Sequence, residues 1–127
     1  MDPELDQALC ANYPKIFADR YASELESPMG RGFAIDNGWY RLVDALCRAL
    51  QRETDRHHAP QVVATQVKQK FGSLRFRVRK ASERQWAMID CATLFSMRKC
   101  EICGMAGRLR HVTGAGIATR CDRHAED

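Results

Sequence analysis

Four residues near the carboxyl end constrain this chain more than any other feature. Cys100-Glu101-Ile102-Cys103-Gly104 is followed, after a spacer, by Cys121-Asp122-Arg123-His124, so that the pattern is C-x2-C-x17-C-x2-H. Two short loops at that spacing can close a tetrahedral zinc site. A Cys-x2-Cys turn lets both sulfurs face one cation, and Gly104 supplies the permissive backbone that such a turn needs. Either half alone is a weak signal, because short cysteine pairs arise by chance. The two halves together with the glycine predict one structural zinc ion held by Cys100, Cys103, Cys121 and His124, against reduced core thiols or a disulfide as the alternatives. Four protein ligands leave no open coordination position, which makes the site architectural rather than catalytic. His111 competes for the fourth place, but it falls on a strand away from both loops, and loop geometry favours His124.

A chain of 127 residues fits one domain with a small lobe attached. The expected division is an α+β body over 1–99 and a zinc-binding lobe over 100–127, forming one compact unit. No apolar run approaches the roughly 20 residues that a membrane helix requires. Met1-Asp2-Pro3-Glu4 is acidic where a secretory signal is basic, and this predicts a cytoplasmic protein. Beyond the metal ligands, Cys10, Cys47 and Cys91 lie in apolar helical contexts, and an odd, buried remainder suits a reducing compartment. Charge is uneven. Residues 1–60 carry 7 Lys/Arg against 10 Asp/Glu, whereas residues 61–127 carry 13 against 6. The basic half can face nucleic acid or an acidic protein surface, or simply be solvated.

Periodicity predicts helices near 4–12, 39–54 and 83–97. Trp39, Leu42, Val43, Leu46 and Leu50 form one stripe of the second, with Asp36 or Asn37 as its cap and Asp44 four residues before Arg48 on the polar face. Ser82-Glu83-Arg84-Gln85 has the form of a capping box opening the third. There Met88, Cys91, Ala92 and Phe95 make a stripe that Trp86, Ile89 and Thr93 widen, an arc broad enough to need burial on two sides, against the hairpin and the second helix. Tyr13, Ile16, Phe17 and Tyr21 read as packing residues. Residues 27–38, with Pro28 and three glycines, read as a mobile loop that Met29 and Phe33 pin down or offer to a partner. His57 and His58 follow the second helix. Adjacent histidines there point apart with no partner set nearby, which suits surface or capping positions better than catalysis.

The clearest β signal spans 61–80. Val63, Thr65 and Val67 alternate with polar neighbours, Lys70-Phe71-Gly72-Ser73 interrupts, and Leu74, Phe76 and Val78 alternate with Arg75, Arg77 and Arg79. A hairpin with one apolar face follows. Its other face carries three arginines at two-residue spacing, about 7 Å apart, with Lys68 and Lys70 close by in sequence. Guanidinium groups in a row on a rigid strand suit phosphates or carboxylates. Arg75, Arg77, Arg79, Lys68 and Lys70 are therefore the candidate partner-binding residues, weighed against a charged face that merely protects an edge strand. In the spacer, Arg108–Val112 and Ile117–Arg120 flank Thr113-Gly114-Ala115-Gly116, a second hairpin. A knuckle, a hairpin and a Cys-x2-His turn suggest a zinc-ribbon or treble-clef-like lobe. The fold class is α+β, with helices packed on a small antiparallel sheet and this lobe at the end.

Asp36-Asn37-Gly38-Trp39-Tyr40, Lys68 to Phe76 and the two cysteine loops, taken as a set, resemble small uncharacterised zinc-ribbon-containing proteins of bacteria and prophages. The resemblance covers most of the chain after Ser27 and names no activity. It implies a cytoplasmic accessory protein. Ser73 stands where the resemblance leads one to expect glycine.

Three functions compete. The first is a non-enzymatic zinc protein that binds a macromolecule, with a lean to a protein partner, for example a phage-encoded inhibitor of a bacterial defence complex. The second is a nucleic-acid-binding accessory or regulatory protein, in which case affinity falls steeply with salt. No aromatic ladder or recognition helix accompanies the arginines in the sequence. The third is a nuclease-like enzyme, which needs a general base and an open metal site. His57, His58 and His111 are the only base candidates, and no acidic cluster goes with them.

Overall fold

The computed structural model describes residues 1–125; residues 126 and 127, the end of the expected lobe, lie outside the described residues. It is an α+β fold with three helices and two small sheets. Helix α1 spans Pro3–Asn12 and α2 spans Tyr40–His57. Strands β1 (Phe33–Ala34), β2 (Ala64–Lys70) and β3 (Ser73–Val78) form a sheet in the order β1-β2-β3. Helix α3 spans Glu83–Ser96, and β4 (Arg108–Val112) pairs with β5 (Gly116–Arg120) in a separate hairpin.

The core lies between the first sheet, α2 and α3. Trp39, just before α2, and Val43, Leu46 and Leu50 on its inner side meet Val67, Leu74 and Phe76 of the sheet. Each such side chain taken fully out of water contributes about 1.5–3 kcal/mol. Phe17 packs edge-on against Phe33 and Phe76, at centroid distances of 5.0 and 6.4 Å. Ile16 and Phe17 are buried as expected, but Tyr21 is 79% exposed and no part of that cluster.

Four expectations need correction. Residues 27–38 are pinned by Met29 and Phe33, one of the two readings of this loop, but they also hold a 3-10 turn and a short strand that the sequence did not reveal. Met29 is fully buried, Ser27 caps a 3-10 turn, and β1 pairs parallel with β2 through Phe33↔Val67 and Ala34↔Lys68. Two residues of strand are too short to leave an alternation signal. Secondly, neither Asp36 nor Asn37 caps α2 with its side chain, because a 3-10 turn over Asn37–Trp39 intervenes. The helix also continues to His57, beyond Thr54, and His58 ends it in the left-handed region at φ 58°. Thirdly, a register shift between Ala64 and Gln66 turns Val62 and Ala64, rather than Val63 and Thr65, towards the core. One extra residue in a strand exchanges its two faces from that point on.

The fourth concerns α3. Its capping box is present, with Ser82 Oγ accepting from the Gln85 amide and Gln85 Oε1 from the Ser82 amide. Gln85 then reaches into the core, where its side-chain amide donates to Leu50 O, Thr54 Oγ1 and Pro60 O. The helix buries Gln85, Ile89, Ala92 and Ser96 against α2 and β3. That stripe carries two polar residues, each satisfied by hydrogen bonds, so hydrophobicity alone misplaces it. Met88 is half-buried, while Cys91 and Phe95 point to solvent.

The body and the lobe are joined through backbone. The Gly38 amide donates to Glu101 O at 2.7 Å, and Trp39 Nε1 donates to Lys99 O at 2.9 Å. A Cβ on Gly38 would lie 2.2 Å from Cys100 O, so only glycine permits this approach. On the other side, Thr119 Oγ1 donates to Gly72 O at 2.6 Å, docking β5 on the β2–β3 turn. Among the described residues no helix is long and apolar enough to cross a membrane.

Candidate functional site

The cysteine knuckle forms where α3 ends. Gly104 donates to Cys100 O at 2.8 Å with φ 79°, which closes the turn and turns the Cys100 and Cys103 thiols to one side. Strands β4 and β5 then carry the chain out and back. Their register, Arg108↔Arg120 to Val112↔Gly116, returns Cys121 beside the knuckle, and a 3-10 turn over Asp122–His124 brings the imidazole round. The Cys100, Cys103 and Cys121 sulfurs and a nitrogen of His124 lie within 4.8 Å of one another. All six cysteines are free thiols.

The distances test whether one ion fits. Sulfurs bonded at about 2.3 Å to a tetrahedral cation sit roughly 3.8 Å apart. Cys103 Sγ and Cys121 Sγ are 3.7 Å apart, and Cys100 Sγ is 3.7 Å from His124 Nδ1. Cys121 Sγ lies 3.2 Å from the same Nδ1. These four residues can hold a metal ion with all its positions filled by protein. His111 is not among them; it is exposed on β4, opposite Ile117.

The local field suits a cation. Burial raises the Cys121 thiol, but hydrogen bonds with His124, Cys100 and Cys103 and the Arg123 amide outweigh it and bring the pKa down to about 6. At Cys103 the Met105 amide lowers the pKa, while burial and the neighbouring Cys121 and Cys100 thiols leave it raised. Thiols crowded this closely compete for protons, and a cation that takes all three as thiolates removes the conflict.

The second site is the outer face of the first sheet. Register places Lys68 opposite Arg75, Gln66 opposite Arg77 and Lys70 opposite Ser73. Residues directly opposite share a face, so Lys68, Lys70, Arg75 and Arg77 lie together on the side away from Leu74 and Phe76. Arg79 stands apart from this group, since its guanidinium is paired with Asp19. The sequence marked the arginine row but neither that pairing nor the ring beside it. Phe71 sits at the hairpin tip, 66% exposed, with Lys70 Nζ 5.7 Å from its ring centroid. Phe71 and Gly72 have φ of 54° and 81°, as a two-residue turn of this hand requires. An aromatic residue directly before glycine at a hairpin tip was the available signal. His57 and His58, at the end of α2, are exposed, and Cys91 is exposed rather than buried.

Comparison with known proteins finds no family model, no curated protein and no solved structure that matches the chain.

Proposed function

We propose that this is a non-enzymatic protein, stapled by one structural zinc ion in a ribbon-like lobe, that presents the Lys68, Lys70, Arg75 and Arg77 face to an acidic surface of a protein partner. Zinc is the natural occupant of a closed site of three thiolates and one imidazole. The observation that carries the reading is the Lys68↔Arg75 pair. Like charges held directly opposite destabilise a sheet, and a partner's carboxylates relieve that cost on binding. A regulatory or inhibitory role, for example as a phage-encoded inhibitor of a bacterial defence complex, fits a chain that acts by covering a surface.

The test is a pull-down from bacterial lysate at two salt concentrations, with and without nuclease, comparing the natural chain with Arg77→Glu. Capture of a defined protein that survives nuclease and is lost in Arg77→Glu, whose melting curve stays unchanged, is the expected result. Equal capture by both chains overturns the reading.

Phe71 favours a second reading, nucleic-acid binding. An exposed ring at the end of a basic row is a stacking platform for an unpaired base. Capture that disappears with nuclease and falls steeply with salt selects it.

A further inference from the structure

The outward part of α3 has no cover within the described chain. Leu94 and Phe95 are each 63% exposed, and Trp86 is 42% exposed. Between α2 and α3 runs a groove of about 460 Å³, whose floor includes Leu42, Ala45 and Ala49 from α2 and Ala87, Met88 and Phe95 from α3. The two helices are antiparallel. Gln85, near the start of α3, bonds Leu50 and Thr54 near the end of α2, while Trp39 at the start of α2 bonds Lys99 beyond the end of α3.

The two rims of this groove carry opposite signs. Along α2 the space continues between Arg48, Arg52 and Arg56. Arg48 is 3.3 Å from Asp44 across one helical turn, with its own side chain 68% exposed and that of Asp44 only 23%. Along α3, Glu83, Ala87, Asp90 and Leu94 recur at helical spacing, so the row through Ala87 carries two exposed carboxylates. Arg84 and Glu53 form an ion pair of 3.5 Å at one end, leaving the charge there balanced.

A second copy can face this groove about a two-fold axis in two ways. With the axis across the helices, α2 lies over α2 and arginine meets arginine. With the axis along the helices, α2 lies over α3, the basic rim meets the acidic rim twice, and the exposed apolar rows close on each other as a four-helix arrangement. A groove of one sign would call for a partner of the other sign. This one carries both, in the order that the second two-fold needs.

We propose that the α2–α3 groove is the interface of a homodimer in which α2 of each copy packs over α3 of the other. Antiparallel register sets Arg52 level with Glu83 of the other copy.

Sedimentation of the metal-loaded chain under reducing conditions, from micromolar to submillimolar concentration, tests this. The expected result is reversible association to twice the 14.5 kDa chain mass, abolished by Phe95→Glu with the melting curve retained. Arg52→Glu and Glu83→Arg should each weaken association about threefold to tenfold, because the dimer holds the pair twice, and the double variant should restore it. A single monomeric species at every concentration hands the groove to some other chain and overturns the proposal. So does a dimer insensitive to Phe95→Glu, and so does a double variant no tighter than the single ones.

Discussion

Gly38 and Gly114 separate two reasons for a glycine. At Gly38 a Cβ would lie 2.2 and 2.4 Å from the Cys100 and Glu101 carbonyl oxygens, both backbone atoms with nowhere to move. Gly38→Ala should therefore push the knuckle off the body and cost about 3 kcal/mol in a denaturant melt. At Gly114 nothing lies within 4 Å, but φ is 82°. Gly114→Ala should cost only about 1 kcal/mol, the strain of the left-handed region. Phe71 holds a similar conformation, φ 54°, without a glycine's freedom. Phe71→Asn should raise stability by about 1 kcal/mol, since asparagine adopts this turn more readily. If the ring also serves as a platform, the same variant loses nucleic-acid capture while melting later, a combination that a purely structural ring does not produce.

The helices show how far a sequence can be read, and where it stops. The stripe of α2 was legible because Trp39, Val43, Leu46 and Leu50 are apolar and point one way. The inner side of α3 was not, because Gln85 and Ser96 are buried there for their hydrogen bonds. Ser96 Oγ accepts from the Leu74 amide at 2.9 Å and donates to Thr93 O at 2.6 Å, so the helix closes part of the open edge of β3. Ser96→Ala should cost about 1–3 kcal/mol, read by thermal melting, because it strands a buried amide. The cluster of Cys100, Cys103, Cys121 and His124 was legible at the level of residues, since cysteine spacing encodes loop geometry directly. For the lobe, Cys103→Ser should remove at least about 4 kcal/mol and unfold β4 and β5 ahead of the helices, as hydrogen exchange would resolve. An unchanged melting curve would count against a structural ion.

Across the molecule, the α+β class and the order of the main elements followed from periodicity and turn residues. The bulge in β2 escaped as a local slip that the alternation does not mark. What else escaped was mostly long-range: the parallel pairing of β1 with β2 and the Asp19–Arg79 pair join segments distant in the chain. The Thr119–Gly72 hydrogen bond is a contact of the same kind. It ties the strand leading into Cys121 to the tip of the hairpin that carries Lys68 and Arg75. Through this hydroxyl the cysteine cluster that can hold an ion and the basic face share one contact, which offers a route for coupling the two. Stripping an ion from the cysteine cluster should then weaken capture of the proposed partner, and a bound partner should tighten the ion's affinity by the same factor.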